Sequence, residues 1–359
     1  MPRDPYRPQA AITAIEYCLP DEVLTNEELD AAHPDWSMAK IEARTGIKVR
    51  HIAGPDECVS DLAVRAAQRL FDSGAVQPLD IDMLLLCTQT PDYFLPTTAC
   101  LVQDRLGIPT ETGALDFNLG CSGYVYGLGL AKGLIETGQA ETILLLTADT
   151  YSRFVSPSDR GVRTLFGDGA TATLIEAVPP AAEQFIEAPV WGTDGRGGPN
   201  LIVRGGGVRS WSGARSGNGN GNGGHLIEMN GPEIFNFTAS RVPALVENVL
   251  QRTCKTISDI DLFVFHQANQ QMLDHLRQKI GIPREKFYVA LEDCGNTVSC
   301  TIPIALKRAA LEAALRPGDV VLLAGFGVGY SWAGTVIRWP LHEKAKLRPS
   351  GLYHANRNT

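Results

Sequence analysis

An internal echo constrains this chain more than any other feature of it. Asp80-Ile-Asp-Met-Leu-Leu-Leu-Cys87 returns as Asp259-Ile-Asp-Leu-Phe-Val-Phe-His266. Leu106-Gly-Ile-Pro109 returns as Ile280-Gly-Ile-Pro283, and the apolar run Glu141–Thr147 as Asp319–Ala324. Order and rough spacing agree in both parts of the 359-residue chain. Such self-similarity marks two copies of one unit, which divides the chain into residues 1–180 and 181–359. The unit itself is legible in the first copy. Continuous apolar runs at Asp80–Thr88, Ala114–Phe117 and Glu141–Ala148 read as strands buried on both faces of a sheet. Ser60–Gly74 lies ahead of them, with Leu62, Ala66, Leu70 and Phe71 on one face of a helix. Strands alternating with helices predict an α/β fold with a largely parallel sheet. At the N-terminal end, Ala11–Leu19 reads as a strand. Thr25 followed by Glu28 predicts a capping box, and Gly46 ends a helix.

The richest stretch is Ala114–Thr150. Its first strand runs into Asn118-Leu-Gly, then Cys121, then a helix over Ser122–Thr137 with small residues at Gly123, Gly127 and Ala131. A cysteine at a strand-to-helix turn meets unpaired N–H groups and the positive end of the helix dipole, which favour its thiolate. That suits a covalent nucleophile. The alternative is a small buried hydrophobe, the common fate of a cysteine.

Two other polar sites punctuate apolar runs. Leu262-Phe-Val-Phe265 ends in His266-Gln-Ala-Asn269, and the strand-like Phe287–Leu291 leads into Asp293-Cys-Gly-Asn296-Thr-Val-Ser299. Alone, His266 reads as a satisfied structural histidine and Asn296 as a turn residue beside Gly295. Yet ligands of open α/β sheets bind beyond the carboxyl ends of strands, and Cys121, His266 and Asn296 all fall there. A thiol, an imidazole and an amide that converge form an acyl-transfer constellation.

Composition removes several classes. The net charge of −8 argues against a generally basic nucleic-acid surface. Eight scattered cysteines without a CxxC pair read as reduced thiols of a cytoplasmic protein, not as a disulfide framework or zinc site. No apolar run reaches membrane-spanning length.

With these residues in view, the chain resembles the β-ketoacyl-acyl-carrier-protein synthase III family of thiolase-fold condensing enzymes. The resemblance rests on Asp116-Phe-Asn-Leu-Gly-Cys-Ser-Gly123, Ser158-Asp-Arg-Gly161, Phe166-Gly-Asp-Gly-Ala170, Phe265-His-Gln-Ala-Asn269, Gly295-Asn-Thr297 and Phe326-Gly-Val-Gly-Tyr-Ser-Trp332. It extends from about Ala11 to Trp339, in the family's order. It implies thiolase-like α-β-α-β-α halves related by a pseudo-two-fold, and a homodimer. Cys–His–Asn, in place of Cys–His–His, points to the chain-initiating branch. The implied chemistry begins with acyl transfer to Cys121, with the N–H groups of Cys121 and Val328 as oxyanion hole. A malonyl-acyl-carrier protein then decarboxylates while His266 and Asn296 stabilise the enolate. The implied donor is acyl-coenzyme A or an acyl-carrier protein, with no metal or redox cofactor.

The substrate-binding residues implied are Arg44, Arg160, Leu95 and Phe326. Two positions depart from the family pattern. Lys40 stands where an adenine-stacking tryptophan is typical, with Trp36 one helical turn further off, and Leu95 stands where an aromatic often sits. The Gly205–Gly224 segment reads as a flexible surface loop, or as a lid anchored by Trp211. Three other functions compete. Gly325-Phe-Gly-Val-Gly329 imitates a dinucleotide fingerprint, but the residues after it continue as a strand with too little chain left for a βαβ unit. A non-catalytic subunit need not keep Cys121, His266 and Asn296. A thiolase-fold acyltransferase or hydrolase would share all three and differ only in omitting malonyl decarboxylation.

Overall fold

The computed structural model describes residues 7–210 and 225–339. Its first part runs β1 (Gln9–Cys18), β2 (Glu22–Thr25), α1 (Asn26–Ala32), α2 (Met38–Thr45), β3 (Val49–Ile52), α3 (Val59–Asp72), β4 (Met83–Cys87), α4 (Thr98–Arg105), β5 (Gly113–Phe117), α5 (Gly123–Glu136), β6 (Thr142–Asp149), α6 (Arg160–Arg163) and β7 (Gly169–Val178). The second part runs β8 (Val190–Thr193), β9 (Leu201–Val203), β10 (Ile227–Met229), α7 (Gly231–Arg252), β11 (Leu262–Phe265), α8 (Gln270–Ile280), α9 (Thr301–Leu311), β12 (Val320–Gly327) and β13 (Ser331–Arg338). Local signals explain several boundaries. The Thr25 side chain accepts from Glu28 N–H while the Glu28 carboxylate accepts from Thr25 N–H, closing the expected capping box on α1. Gly46 ends α2 at φ 70°, a left-handed position that glycine takes without penalty.

Two sheets carry the fold. The larger has the order β1-β7-β6-β4-β5, the smaller β11-β12-β13-β8. Each central pairing is parallel, β4 with β6 and β11 with β12, and each continues antiparallel, β6 to β7 and β12 to β13. The same path is therefore followed twice. Helices α5 and α9 fill the space between the sheets. There Tyr124, Leu128, Ile302 and Leu306 join Leu145 and Ile175 of one sheet and Val264 and Leu323 of the other in one core. Helix α3 covers the outer face of the larger sheet through Leu62, Ala66 and Leu70. Helices α7 and α8 cover the outer face of the smaller one through Val246, Leu273 and Leu276. The layers are α-β-α-β-α. The small residues expected on α5 serve this close packing: a Cβ on Gly123 would lie 2.2 Å from Cys87 Sγ, and one on Gly127 2.6 Å from Leu145.

Three expectations are corrected. The sheets are mixed, not largely parallel, because β1, β7, β8 and β13 return along the sheet as antiparallel neighbours. The run Ala114–Phe117 forms β5, but β5 is an edge strand. It pairs with β4 alone, and Leu115 is 45% exposed. An apolar run reports burial against something, and here one side lies open in the single chain. Finally, Phe287–Leu291 is not a strand. Its ladder contact among the described residues is the isolated parallel bridge of Phe287 with Phe263, which occupies the place that β5 holds beside β4. Trp211 and most of the Gly205–Gly224 segment lie outside the described residues. No described helix is long and apolar enough to cross a membrane.

Candidate active site

Cys121 follows β5 and precedes α5, and is 7% exposed. The backbone N–H groups of Cys121 and Val328 act on its sulfur in the sense that favours the thiolate. Burial, and then the charge of Asp149, push its thiol up to about 12, against the pull of these two N–H groups. Burial outweighs that pull, and the resting sulfur is a thiol. Three glycines make room for this arrangement. A Cβ on Gly325 would meet the Cys121 carbonyl oxygen at 2.7 Å, one on Gly327 would meet Sγ at 2.9 Å, and one on Gly120 would meet Gln89 Oε1 at 2.5 Å. Gly327→Ala must therefore displace the Cys121 sulfur. A misplacement of about 1 Å costs ~10²-fold in rate. Time-resolved intact mass should show acyl-enzyme formation slowed by about that factor.

His266 continues the line of β11, its N–H donating to Ala324 O at 2.8 Å. The side chain is buried. Nδ1 lies 2.8 Å from Thr301 Oγ1, and Phe326 meets the ring edge-on at a centroid distance of 5.6 Å. Desolvation lowers the imidazole to about 3, so it is neutral at physiological pH. With Nδ1 engaged, Nε2 is the nitrogen left for chemistry.

Asn296 is held without a regular strand. Its N–H donates to Leu165 O at 2.9 Å, its carbonyl accepts from Gly167 N–H at 3.1 Å, and Oδ1 accepts from Val298 N–H at 2.9 Å. The side-chain NH2 is thus the free end of the amide. Val298 packs in one cluster with Cys121, Tyr151 and Phe166. The backbone oxygen of Val298 lies 3.1 Å from the Thr301 hydroxyl that contacts His266. Three distant segments thereby meet at one place.

Asp149, at the end of β6, ties this region together. Oδ1 accepts from Gln89 N–H at 2.8 Å, while Oδ2 accepts from the N–H and the hydroxyl of Ser299. Its carboxyl is fully buried and desolvation raises it to about 7. A folded carboxyl that holds its proton beyond the unfolded value makes stability fall as pH rises, here between about 4 and about 7. Wild type should therefore lose stability relative to Asp149→Asn across that window, by at most ~4 kcal/mol. Chemical denaturation of both proteins at pH 4 and pH 8 checks this. Asp168 is also raised by burial, and the comparison with Asp149→Asn isolates the Asp149 contribution. Arg50 braces the other side, donating to Thr164 O and to Asn26 Oδ1 from complete burial. Neither group stood out in the sequence, because each sits within an ordinary strand.

A cavity of about 1050 Å³ opens beside the Cys121 cluster, lined in part by Gln89, Tyr151, Phe154, Leu201, Ile227 and Val328. Its lining also includes Tyr93, Phe94 and Leu95 on one side and Gly205–Gly207 on the other. Leu95 is 86% exposed. The other expected binding residues divide. Arg44, at the end of α2, and Arg160, at the start of α6, are exposed. Phe326 is buried behind the His266 ring and does not line the cavity. Trp36 is buried too, its ring stacked on His33 at 3.9 Å, while Lys40 is exposed. All eight cysteines are unpaired, and no cluster suited to a metal ion occurs among the described residues.

Comparison with known proteins gives concordant matches. Residues 115–195 match the family described as 3-oxoacyl-[acyl-carrier-protein] synthase III, and residues 250–339 its C-terminal part. The chain is 37% identical to a beta-ketoacyl-[acyl-carrier-protein] synthase III of Caldanaerobacter subterraneus subsp. tengcongensis, over 89% of this chain and 95% of that one. It is 38% identical to a beta-ketoacyl-[acyl-carrier-protein] synthase III of Streptomyces coelicolor, over 92% and 97%. The crystal structure of a 3-oxoacyl-(acyl-carrier-protein) synthase III superposes with a TM-score of 0.88 at 51% identity, covering 92% of this chain and all of that one.

Proposed function

The chain belongs to the 3-oxoacyl-[acyl-carrier-protein] synthase III family, and on that premise we propose that Cys121, His266 and Asn296 divide its reaction between them. The enzyme is an acyltransferase of the condensing type, with a thiolase fold. The observation that carries the assignment of roles is the close approach of the β12 end to the Cys121 sulfur, where a Cβ on Gly327 would lie 2.9 Å from Sγ and the Cys121 and Val328 N–H groups favour the thiolate.

In the first half-reaction the Cys121 sulfur attacks an acyl thioester, and its proton passes to the departing donor sulfur. The Cys121 and Val328 N–H groups then hold the oxyanion of the tetrahedral intermediate. Collapse expels the donor thiol, and the acyl chain lies in the cavity past Gln89 and Tyr151. In the second half-reaction a malonyl-carrier-protein thioester enters. Its terminal C–C bond breaks and carbon dioxide leaves, which makes an enolate. Nε2–H of His266 and the NH2 of Asn296 donate to the enolate oxygen. The carbanion attacks the acyl carbon, the C–S bond to Cys121 breaks, and a 3-oxoacyl product departs. A neutral imidazole suits this step, because it donates without offering a proton acidic enough to quench the carbanion. The two visits to one nucleophile make the kinetics ping-pong.

The substrates carry their own activation as thioesters of coenzyme A or of a phosphopantetheine arm, and no metal or redox group enters. Exposed Arg44 and Arg160 suit anionic parts of the donor. The halves 1–180 and 181–359 supply the nucleophile and the His–Asn pair respectively. A homodimer is supported by the open edge of β5 and by exposed Tyr93, Phe94 and Leu95 beside the cavity mouth. The unpaired cysteines suit the cytoplasm. Carbon dioxide release tests the reading. One equivalent per 3-oxoacyl product is expected from malonyl-carrier protein, and acyl transfer without release contradicts it.

A further inference from the structure

Donation from Nε2 requires that the single proton of a neutral imidazole sit on Nε2, and something must put it there. We propose that the hydroxyl of Thr301 is the positioning group that does so, donating to Nδ1 of His266 and holding the ring as its Nε2–H tautomer. This inference rests on the condensation reading above.

The geometry is a competition for one proton. Thr301 Oγ1 lies 2.8 Å from His266 Nδ1 and 3.1 Å from Val298 O. A hydroxyl carries one hydrogen, so only one of these contacts has the threonine as donor. O–H···O bonds cluster near 2.7–2.8 Å and rarely exceed 3.0 Å. The bond to Val298 O is thus a long one for a hydroxyl, while 2.8 Å is an ordinary distance for a hydroxyl that donates to a ring nitrogen. The hydroxyl therefore turns to Nδ1, which must then be the acceptor nitrogen. The reverse arrangement would place the ring proton between Nδ1 and Thr301. Nε2 would then face the enolate as a lone pair, and two electron-rich atoms would oppose each other.

Position in the fold supports the same assignment. Thr301 is the first residue of α9, and a threonine there ordinarily bonds back to a carbonyl three or four residues earlier. Here the Val298 carbonyl three residues earlier is in reach at 3.1 Å, but the ring nitrogen is nearer at 2.8 Å, on a ring that Phe326 meets edge-on from its other side at 83°. Both Thr301 and His266 are buried, so no bulk water substitutes for the hydroxyl.

The test compares wild type with Thr301→Val, which removes the hydroxyl at constant shape, and Thr301→Ser, which keeps it. Nitrogen NMR of ¹⁵N-histidine protein reads the tautomer of His266 in the unliganded enzyme, the resonance being assigned by its loss in His266→Asn. Wild type and Thr301→Ser are expected to show the Nε2–H form, and Thr301→Val a shift toward Nδ1–H. Condensation should fall by ~10²-fold in Thr301→Val and recover in Thr301→Ser, with the loss in condensation rather than in acyl-enzyme formation. An Nδ1–H tautomer in wild type overturns the proposal, as does an unchanged tautomer in Thr301→Val. If Thr301→Val does not fold, the wild-type spectrum alone decides. The tautomer is read without turnover. A Thr301-dependent Nε2–H form in an enzyme that fails to condense would uphold the positioning role and refute the condensation reading.

Discussion

Cys121→Ala is expected to abolish the covalent acyl-enzyme. No neighbouring thiol takes over. Cys87 Sγ donates to Leu119 O at 2.9 Å, and Cys300 Sγ to Gly169 O at 3.2 Å. Burial drives both thiols, like that of Cys121, well above their ordinary range, and the Cys121 and Val328 N–H groups act on neither of them. Deleting a nucleophile that acts in concert with its surroundings costs ~10⁴-fold or more. The whole condensation should fall with it, since both half-reactions pass through the same sulfur. Mass analysis after incubation with a donor reads the effect, and a melting curve shows that the fold survives removal of one small side chain. Mass gain in the variant would place the nucleophile elsewhere.

His266→Ala separates the two half-reactions. The imidazole takes no part in holding the tetrahedral oxyanion at Cys121, so acylation should persist within a few-fold. Decarboxylation loses a donor aimed at a developing charge in a buried site, which costs ~10²–10³-fold. Asn296→Ala should act in the same direction, because its NH2 is the second donor. Chromatography of the 3-oxoacyl product measures the loss, and intact mass in the same samples measures acyl-enzyme. Retained condensation in His266→Ala would remove the assigned role. The pH profile gives a companion check. With its imidazole lowered to about 3, His266 stays neutral from about pH 5 to about pH 8 and contributes no acidic limb there.

Much of this was legible in the chain before its structure, and the reasons differ by element. The repeat of Asp80–Cys87 at Asp259–His266 carried the duplication, because an apolar strand that returns with the same flanking turns is a strong pattern. The Thr25–Glu28 capping box was readable because it is wholly local. The strand-to-helix turn at Cys121 was readable because three short signals, strand, cysteine and small-residue helix, coincide within a few residues. Strand direction was not. Apolar runs do not report their polarity, so the antiparallel returns of β7 and β13 were missed. Nor do such runs distinguish an edge from a centre, which is how β5 came to be read as buried. Asn296 has a different support from the one expected. It was expected beyond a strand, whereas long-range backbone bonds to Leu165 and Gly167 hold it. Asp149, Arg50 and Thr301 were invisible for a common reason: each acts through partners far away in the chain.

The most direct measurement is the mass of the intact enzyme through one cycle. Wild type and Cys121→Ala are incubated with acyl-coenzyme A and acyl-carrier-protein donors of several lengths, then given malonyl-carrier protein. The account predicts an acyl mass gained by wild type alone, then discharged as a 3-oxoacyl product on addition of the malonyl donor. An acyl mass that malonyl-carrier protein leaves in place, or that passes to water or another acceptor without carbon dioxide release, would contradict it.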